Sequence, residues 1–192
     1  MKVRISLSLV IAASLTGHAG ADVVHDESLD GDLSNDRFNP TPYALAQGVN
    51  SLLATSMAGD REFIALTIPA GLQLSSLVQV SYIGDDGIAF MGVQAGPVMT
   101  VDPDSFSAEG LLGWTHFGPF AAPDGTDLLP LMGQGFGADG FTPPLPTGTY
   151  TFWLQQAGAD PSTYQLDFVV TPAPCAAALL GLGSLGALRR RR

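Results

Sequence analysis

The densest set of metal-competent side chains lies near the N-terminus, where Asp26, Glu27, Asp30, Asp32 and Asp36, with Asn35, crowd a stretch containing Gly31. Acids at i and i+2, as in Asp30 and Asp32, follow the spacing by which loops wrap hard cations in oxygen ligands, which makes Asp30, Asp32 and Asp36 the candidate ligands and calcium the expected ion. Asp60 and the Asp85-Asp86 pair are candidate additional ligands from neighbouring loops. The run lacks the mid-loop glycine and terminal glutamate of an EF-hand. A solvated stretch of turn-forming acids has the same composition, so both readings are open.

Catalytic chemistry has fewer residues to draw on. Between residues 22 and 171 the histidines are His25 and His116, the latter beside Trp114 and Phe117 on what reads as an aromatic strand edge. The sequence has no His-Glu-x-x-His, no Gly-x-Ser-x-Gly and no cysteine nucleophile. Asp102 and Asp104 flank Pro103; such a pair is either the two carboxylates of a glycoside hydrolase or a turn. Two separated histidines give zinc no ligand set. No catalytic residue and no organic cofactor site is assigned.

The elements that must position these groups form one domain, since 192 residues leave room for one core between two unusual ends. Met1-Lys2-Val3-Arg4 is a basic start, residues 5–15 are apolar apart from serines, and Ala19-Gly20-Ala21 offers small residues for cleavage after Ala21. Residues 1–21 therefore read as a signal peptide, the apolar run being short of the roughly 20 residues of a span. At the other end Thr171-Pro172-Ala173-Pro174 breaks a strand, residues 175–188 are apolar, and Arg189 to Arg192 close the chain. A retained membrane anchor and a transient, processed one both fit that tail, whose arginines stay cytoplasmic. Cys175, the one cysteine, sits in the tail, so the domain has no disulfide.

Without its ends the chain changes character. Residues 22–171 hold two basic residues, Arg37 and Arg61, against all eighteen acids, a net charge of −16 with no lysine. That charge excludes nucleic acid and anionic membrane as partners of this domain.

Glycine and proline recur through residues 22–171, no helical period is sustained, and short β-branched and aromatic runs lie between turn signals. The fold class is all-β, a single antiparallel β-sandwich flanked by an N-terminal signal helix and a C-terminal hydrophobic helix. Tyr150, Phe152 and Leu154 share one face of a strand over 149–156, and Tyr164, Leu166, Phe168 and Val170 alternate along a return strand after the turn at Gly158-Ala159-Asp160-Pro161-Ser162. Trp153 points the other way, covering an edge or lying on the outer face. Further strands are expected over 62–68, with Ile64, Leu66 and Ile68 inward, over 77–83, with Val78, Val80 and Tyr82 on one face, over 88–94, and over 111–117. Gly133 to Gly137 and Pro143-Pro144 make the rest of 97–148 read as surface loops.

Two resemblances add to this reading. Pro172-Ala173-Pro174, the Ala, Leu and Gly-rich segment after it and the four arginines resemble the PEP-CTERM sorting signal of exported proteins in exosortase-encoding bacteria, with Ala173 in place of the usual glutamate. The resemblance implies export, recognition by signal peptidase and an exosortase-like enzyme at Ala21 and at Pro172, Ala173 and Pro174, and surface display or secretion. Gly59-Asp60-Arg61-Glu62-Phe63 running into Ile64 to Gly71, Gly148 to Phe152 and Tyr164-Gln165-Leu166 are similar to the bacterial pre-peptidase C-terminal domain, which implies a jelly-roll-like sandwich. Residues 97–140 do not follow that pattern.

Two functions fit. One is a non-catalytic surface or matrix protein engaged in adhesion, exopolysaccharide or biofilm contacts, touching the membrane only through its tail. The other is a small extracellular enzyme or carbohydrate-binding module with a site in the 97–140 loops, which convergence of His116, Trp114 and loop carboxylates in one cleft would favour. Mass spectrometry of the chain from an exosortase-positive host, with and without residues 172–192, tests the processing. The expected product starts at Asp22 and has lost the residues after the Pro172 motif; an intact, membrane-held C-terminus contradicts it.

Overall fold

The computed structural model describes residues 21–174; residues 1–20 and 175–192, on which the expected signal helix and the expected hydrophobic C-terminal helix fall, lie outside the described residues. Ala21 is exposed. Among the described residues no helix is long and apolar enough to cross a membrane.

Two sheets face each other. One has the order β1 (Asp22–Asp26), β3 (Gly48–Ser56), β9 (Ser162–Pro172), β5 (Leu72–Ile83). The other has the order β2 (Thr41–Ala44), β4 (Arg61–Ile68), β8 (Gly148–Gln156), β6 (Ala89–Ala95), β7 (Gly113–Phe117). Two single-turn helices, α1 (Glu27–Asp30) and α2 (Leu129–Met132), complete the described elements. The all-β expectation holds, but the sheets are mixed rather than antiparallel: β1 pairs β3 and β2 pairs β4 in parallel. The N-terminal segment crosses from one sheet to the other between β1 and β2 and back before β3, and such crossovers are what parallel neighbours require.

The strands β8 and β9 do not form the hairpin expected of them. Each is central in its own sheet, β8 between β4 and β6 and β9 between β3 and β5, so residues 157–161 arch across the sandwich. Their apolar faces meet instead through space, with the Phe152 and Phe168 rings edge to face at 5.4 Å. Ile64, Leu66 and Ile68 point into this same core, as their alternation indicates. In β5 the expected face is wrong on one side of a bulge. Leu77, Gln79 and Tyr82 are buried while Val80 is exposed, because the register shifts between Gln79 and Ser81. Gln79 is buried because it is fully used: its amide donates to Ala122 O and Asp124 Oδ1, and its oxygen accepts from Gly118 N.

The last strand also runs further than its prolines suggest. β9 ends at Pro172 and Ala173 N donates to Gly71 O at 2.8 Å, so Pro172 and Ala173, two of the residues expected to be processed, are tied to the domain. Pro172 is tolerated there because it lies at the strand's end.

The sheet-to-sheet contact predicts its own sensitivity. Phe152→Ala empties the centre of the core and is expected to cost about 3–5 kcal/mol in denaturant unfolding, whereas removal of the exposed Phe38 ring leaves the midpoint unchanged.

Candidate functional site

The five-stranded sheet is apolar on both faces, and its outer face builds an open cleft. Register places two rows of side chains across four strands there. Arg61 opposes Gln155, Gln155 opposes Phe90, and Phe90 opposes His116; one step along, Phe63, Trp153, Gly92 and Trp114 stand in line. Trp153 thus lies on the outer face and is nonetheless buried, packed with Phe63, Met99, Val101 and Leu111 in a second, smaller core under the 96–112 loop. A Cβ at Gly92 would come within 3.2 Å of Phe90 and 3.3 Å of Leu111, so the bare position lets that loop close down.

The cleft opens where this cover ends and has a volume of about 560 Å³, within the roughly 300–1,000 Å³ of small-molecule sites. Phe90, Trp114, His116, Trp153 and Gln155 form its floor, and the 102–108 and 136–137 loops form its walls. Phe90 stacks on Trp114 at 5.8 Å, and His116 stands edge-on to both. The Trp114 indole donates to Phe136 O at 2.9 Å, which fixes one wall against the floor. Gly135 permits this approach, since a Cβ there would lie 2.6 Å from the indole. The Trp153 Nε1 is buried and has no acceptor. Two phenylalanines stand at the rim in full exposure, Phe106 and Phe136. Phe106 also holds a positive φ of 53°, a conformation costing a non-glycine residue about 1–2 kcal/mol. An exposed aromatic ring held in a strained backbone is the kind of outlier found at binding sites.

Both arginines of the domain anchor the wall. Arg37 Nη1 donates to Thr100 O and Val101 O, and Arg61 bonds Gln155 Oε1 and Asp104 Oδ1. The Arg61 guanidinium holds the Asp104 carboxyl below the ordinary carboxylate range. Asp102 faces the cleft, and its Oδ1 accepts from Asp104 N across the Asp-Pro-Asp turn. A second groove of about 360 Å³, lined by Asp36, Arg37 and Arg61, shares Asp102 and Pro103 with the first. His116, Trp114 and a loop carboxylate therefore do converge in one place.

The acids singled out in the sequence are scattered by comparison. Asp30 accepts from Asp26 N and lies 3.9 Å from the buried His25, which bonds the Tyr43 hydroxyl. Asp36 accepts from Phe38 N beside the second groove. Asp86 accepts from Ile88 N in its own turn. Only Asp32 of the three proposed ligands joins a potential metal-binding group, and its companions are Glu27 and Glu62. Glu62 was missed because it lies thirty residues away in sequence; its signal is parity, for it shares the inward face of β4 with Ile64 and Leu66.

Burial pushes the Glu62 carboxyl up from 4.5 to about 9, with the charges of Glu27, Asp60 and Asp32 adding to it. Burial likewise lifts Glu27 from 4.5 to about 7, against the hydrogen bond it accepts from Thr55 N. Tyr164 of β9 approaches from the other sheet, its phenol held neutral by burial.

Comparison with family models, with curated proteins and with solved structures finds no match to this chain.

The raised carboxyls fix the sign of a pH effect. The unfolded chain releases these protons near pH 4.5 while the folded chain keeps them to about 7 and about 9, so the folded state binds more protons across that window and stability falls as pH rises through it. Denaturant midpoints at pH 5, 7 and 9 in EDTA should decline in that order, and Glu62→Gln should flatten the decline; a wild-type midpoint that rises with pH would contradict the burial of a protonated Glu62.

Proposed function

We propose that this chain is an exported carbohydrate-binding module, the non-catalytic form of the second function, whose sandwich holds a neutral polysaccharide in the aromatic cleft. The observation that carries the reading is the convergence of Phe90, Trp114, His116, Phe106 and Phe136 with Asp102 and Gln155 around one open cleft. Aromatic faces stack on the C–H faces of sugar rings, and a few polar groups at the margin select among hydroxyls. The charge of −16 argues for a neutral glycan over a polyuronate or phosphate polymer, which this surface would repel.

Binding fits the geometry better than hydrolysis. Glycoside hydrolysis needs two carboxyls free to face one glycosidic bond, and here Asp104 is engaged by Arg61 while Asp102 caps the same turn. Export, and display or release through an exosortase-like enzyme, are read from the two chain ends and their resemblance to sorting signals. The sandwich itself we read as jelly-roll-like. In support, the chain alternates between sheets through β3, β4, β5 and β6, and returns to the first sheet near Asp127, which bridges Val78.

Trp114 and Trp153 are the two tryptophans of the chain and both lie at the cleft, so emission reports occupancy directly. Titration with soluble hydroxyethylcellulose should change tryptophan emission saturably, while alginate should not. Phe106→Ala should weaken binding by about tenfold or more without lowering the unfolding midpoint, and Trp114→Ala should weaken it at least as much. An emission that neutral glucans of several linkages leave unchanged would sink the reading.

A further inference from the structure

We propose that Glu27, Asp32 and Glu62, with Asp60 beside them, bind a calcium ion that fastens the N-terminal segment to the five-stranded sheet. Each of the three offers an oxygen within 4.8 Å of the others, from α1, from the loop after it and from β4. The independent observation is Glu62 itself. It is fully buried on the inward face of β4, and neither of its oxygens meets a hydrogen-bond donor. Glu27 repeats the pattern by half: Oε2 accepts from Thr55 N at 2.6 Å, and Oε1 is buried with no partner. Three acceptor oxygens are therefore withdrawn from water beside two further carboxyls and left for something positive.

The protein does not supply that charge. Among the described residues the basic side chains are Arg37 and Arg61, and both are engaged on the outer face of the sheet, with Thr100, Val101, Gln155 and Asp104. Arg61 precedes Glu62 in sequence but points to the opposite face of the strand. A proton on Glu62 neutralises one carboxyl only, whereas a divalent cation answers all of them at once.

The donor set favours calcium, since every ligand is a hard carboxylate oxygen and magnesium demands a near-ideal octahedron. Calcium also accepts irregular, carboxylate-rich shells completed by water, and the exposed Asp32 gives both an entry path and a place for that water. The bound ion would join α1, which follows the edge strand β1 of one sheet, to β4 of the other. The site is independent of the aromatic cleft, because Glu62 and the cleft lie on opposite faces of the same sheet.

The full chain, stripped with EDTA and dialysed, is titrated with calcium chloride and in parallel with magnesium chloride, reading Tm and the binding isotherm. One calcium per chain and a rise in Tm on the order of 5 °C at saturation are expected, with a smaller response to magnesium. Glu62→Gln, which keeps the shape and removes the ionisable carboxyl, should fold at least as well without metal and lose the calcium shift. Asp32→Asn, at an exposed position, should fold normally and weaken calcium binding by tenfold or more. A wild-type Tm indifferent to calcium, or variants that respond as the wild type does, would overturn the proposal.

Discussion

The five-stranded sheet cannot leave either face to water, and most of the architecture follows from that. Its inner face carries Ile64, Leu66, Phe152 and Leu154 against the second sheet, and its outer face carries Phe63, Trp153, Phe90 and Trp114. A half-buried antiparallel sheet would show polar residues on that side. The long 96–112 connection is consequently drawn over the sheet as a lid of Met99, Val101 and Leu111. The lid leaves Phe90, Trp114 and His116 partly open. What remains open between its edge and the 133–137 loop is the aromatic cleft.

Charge is distributed with the same logic. A domain of net charge −16 has little positive charge with which to organise its loops, and its two arginines are both placed where the lid must be held. Arg37 grips the carbonyls of Thr100 and Val101, and Arg61 ties Asp104 to Gln155 of the central strand. These bonds fix the wall of the cleft, and a wall already ordered costs a ligand less to use. At the other side of β4, the same scarcity leaves Glu62 without a counter-charge. The two candidate sites thus arise from one fact of composition.

Much of the sandwich is legible in the sequence wherever apolar residues alternate. Ile64, Leu66 and Ile68 face inward as expected, and the strands over 88–94 and 111–117 appear with shifted ends as β6 and β7. The first three strands carry no such signal. In β3 the buried positions include Asn50, Ser51 and Ser56, and two of these polar residues are satisfied by specific bonds, Asn50 through Ala46 O, Gly48 O and Phe168 O and Ser51 through Asp167 Oδ1. The bulge in β5 reversed the face of Val80, and nothing local announces it. The cleft was half legible: Trp114 and His116 are two apart on one strand and must share a face, but Phe90, Gln155 and Phe106 reach them only through register and loop closure. Glu62 was legible by parity alone. Its partners Glu27 and Asp32 come from another part of the chain, and no spacing rule connects them.

The account stands most directly on whether the cleft takes a sugar. Isotope-labelled protein titrated with a neutral gluco-oligosaccharide, followed by the two indole N–H resonances, answers it. The account predicts that the Trp114 and Trp153 signals shift together and saturate, along with amides of 102–108 and 136–137, while the inner-face amides of β9 stay still. Indole signals that do not move, or shifts spread evenly over the whole surface, would contradict it.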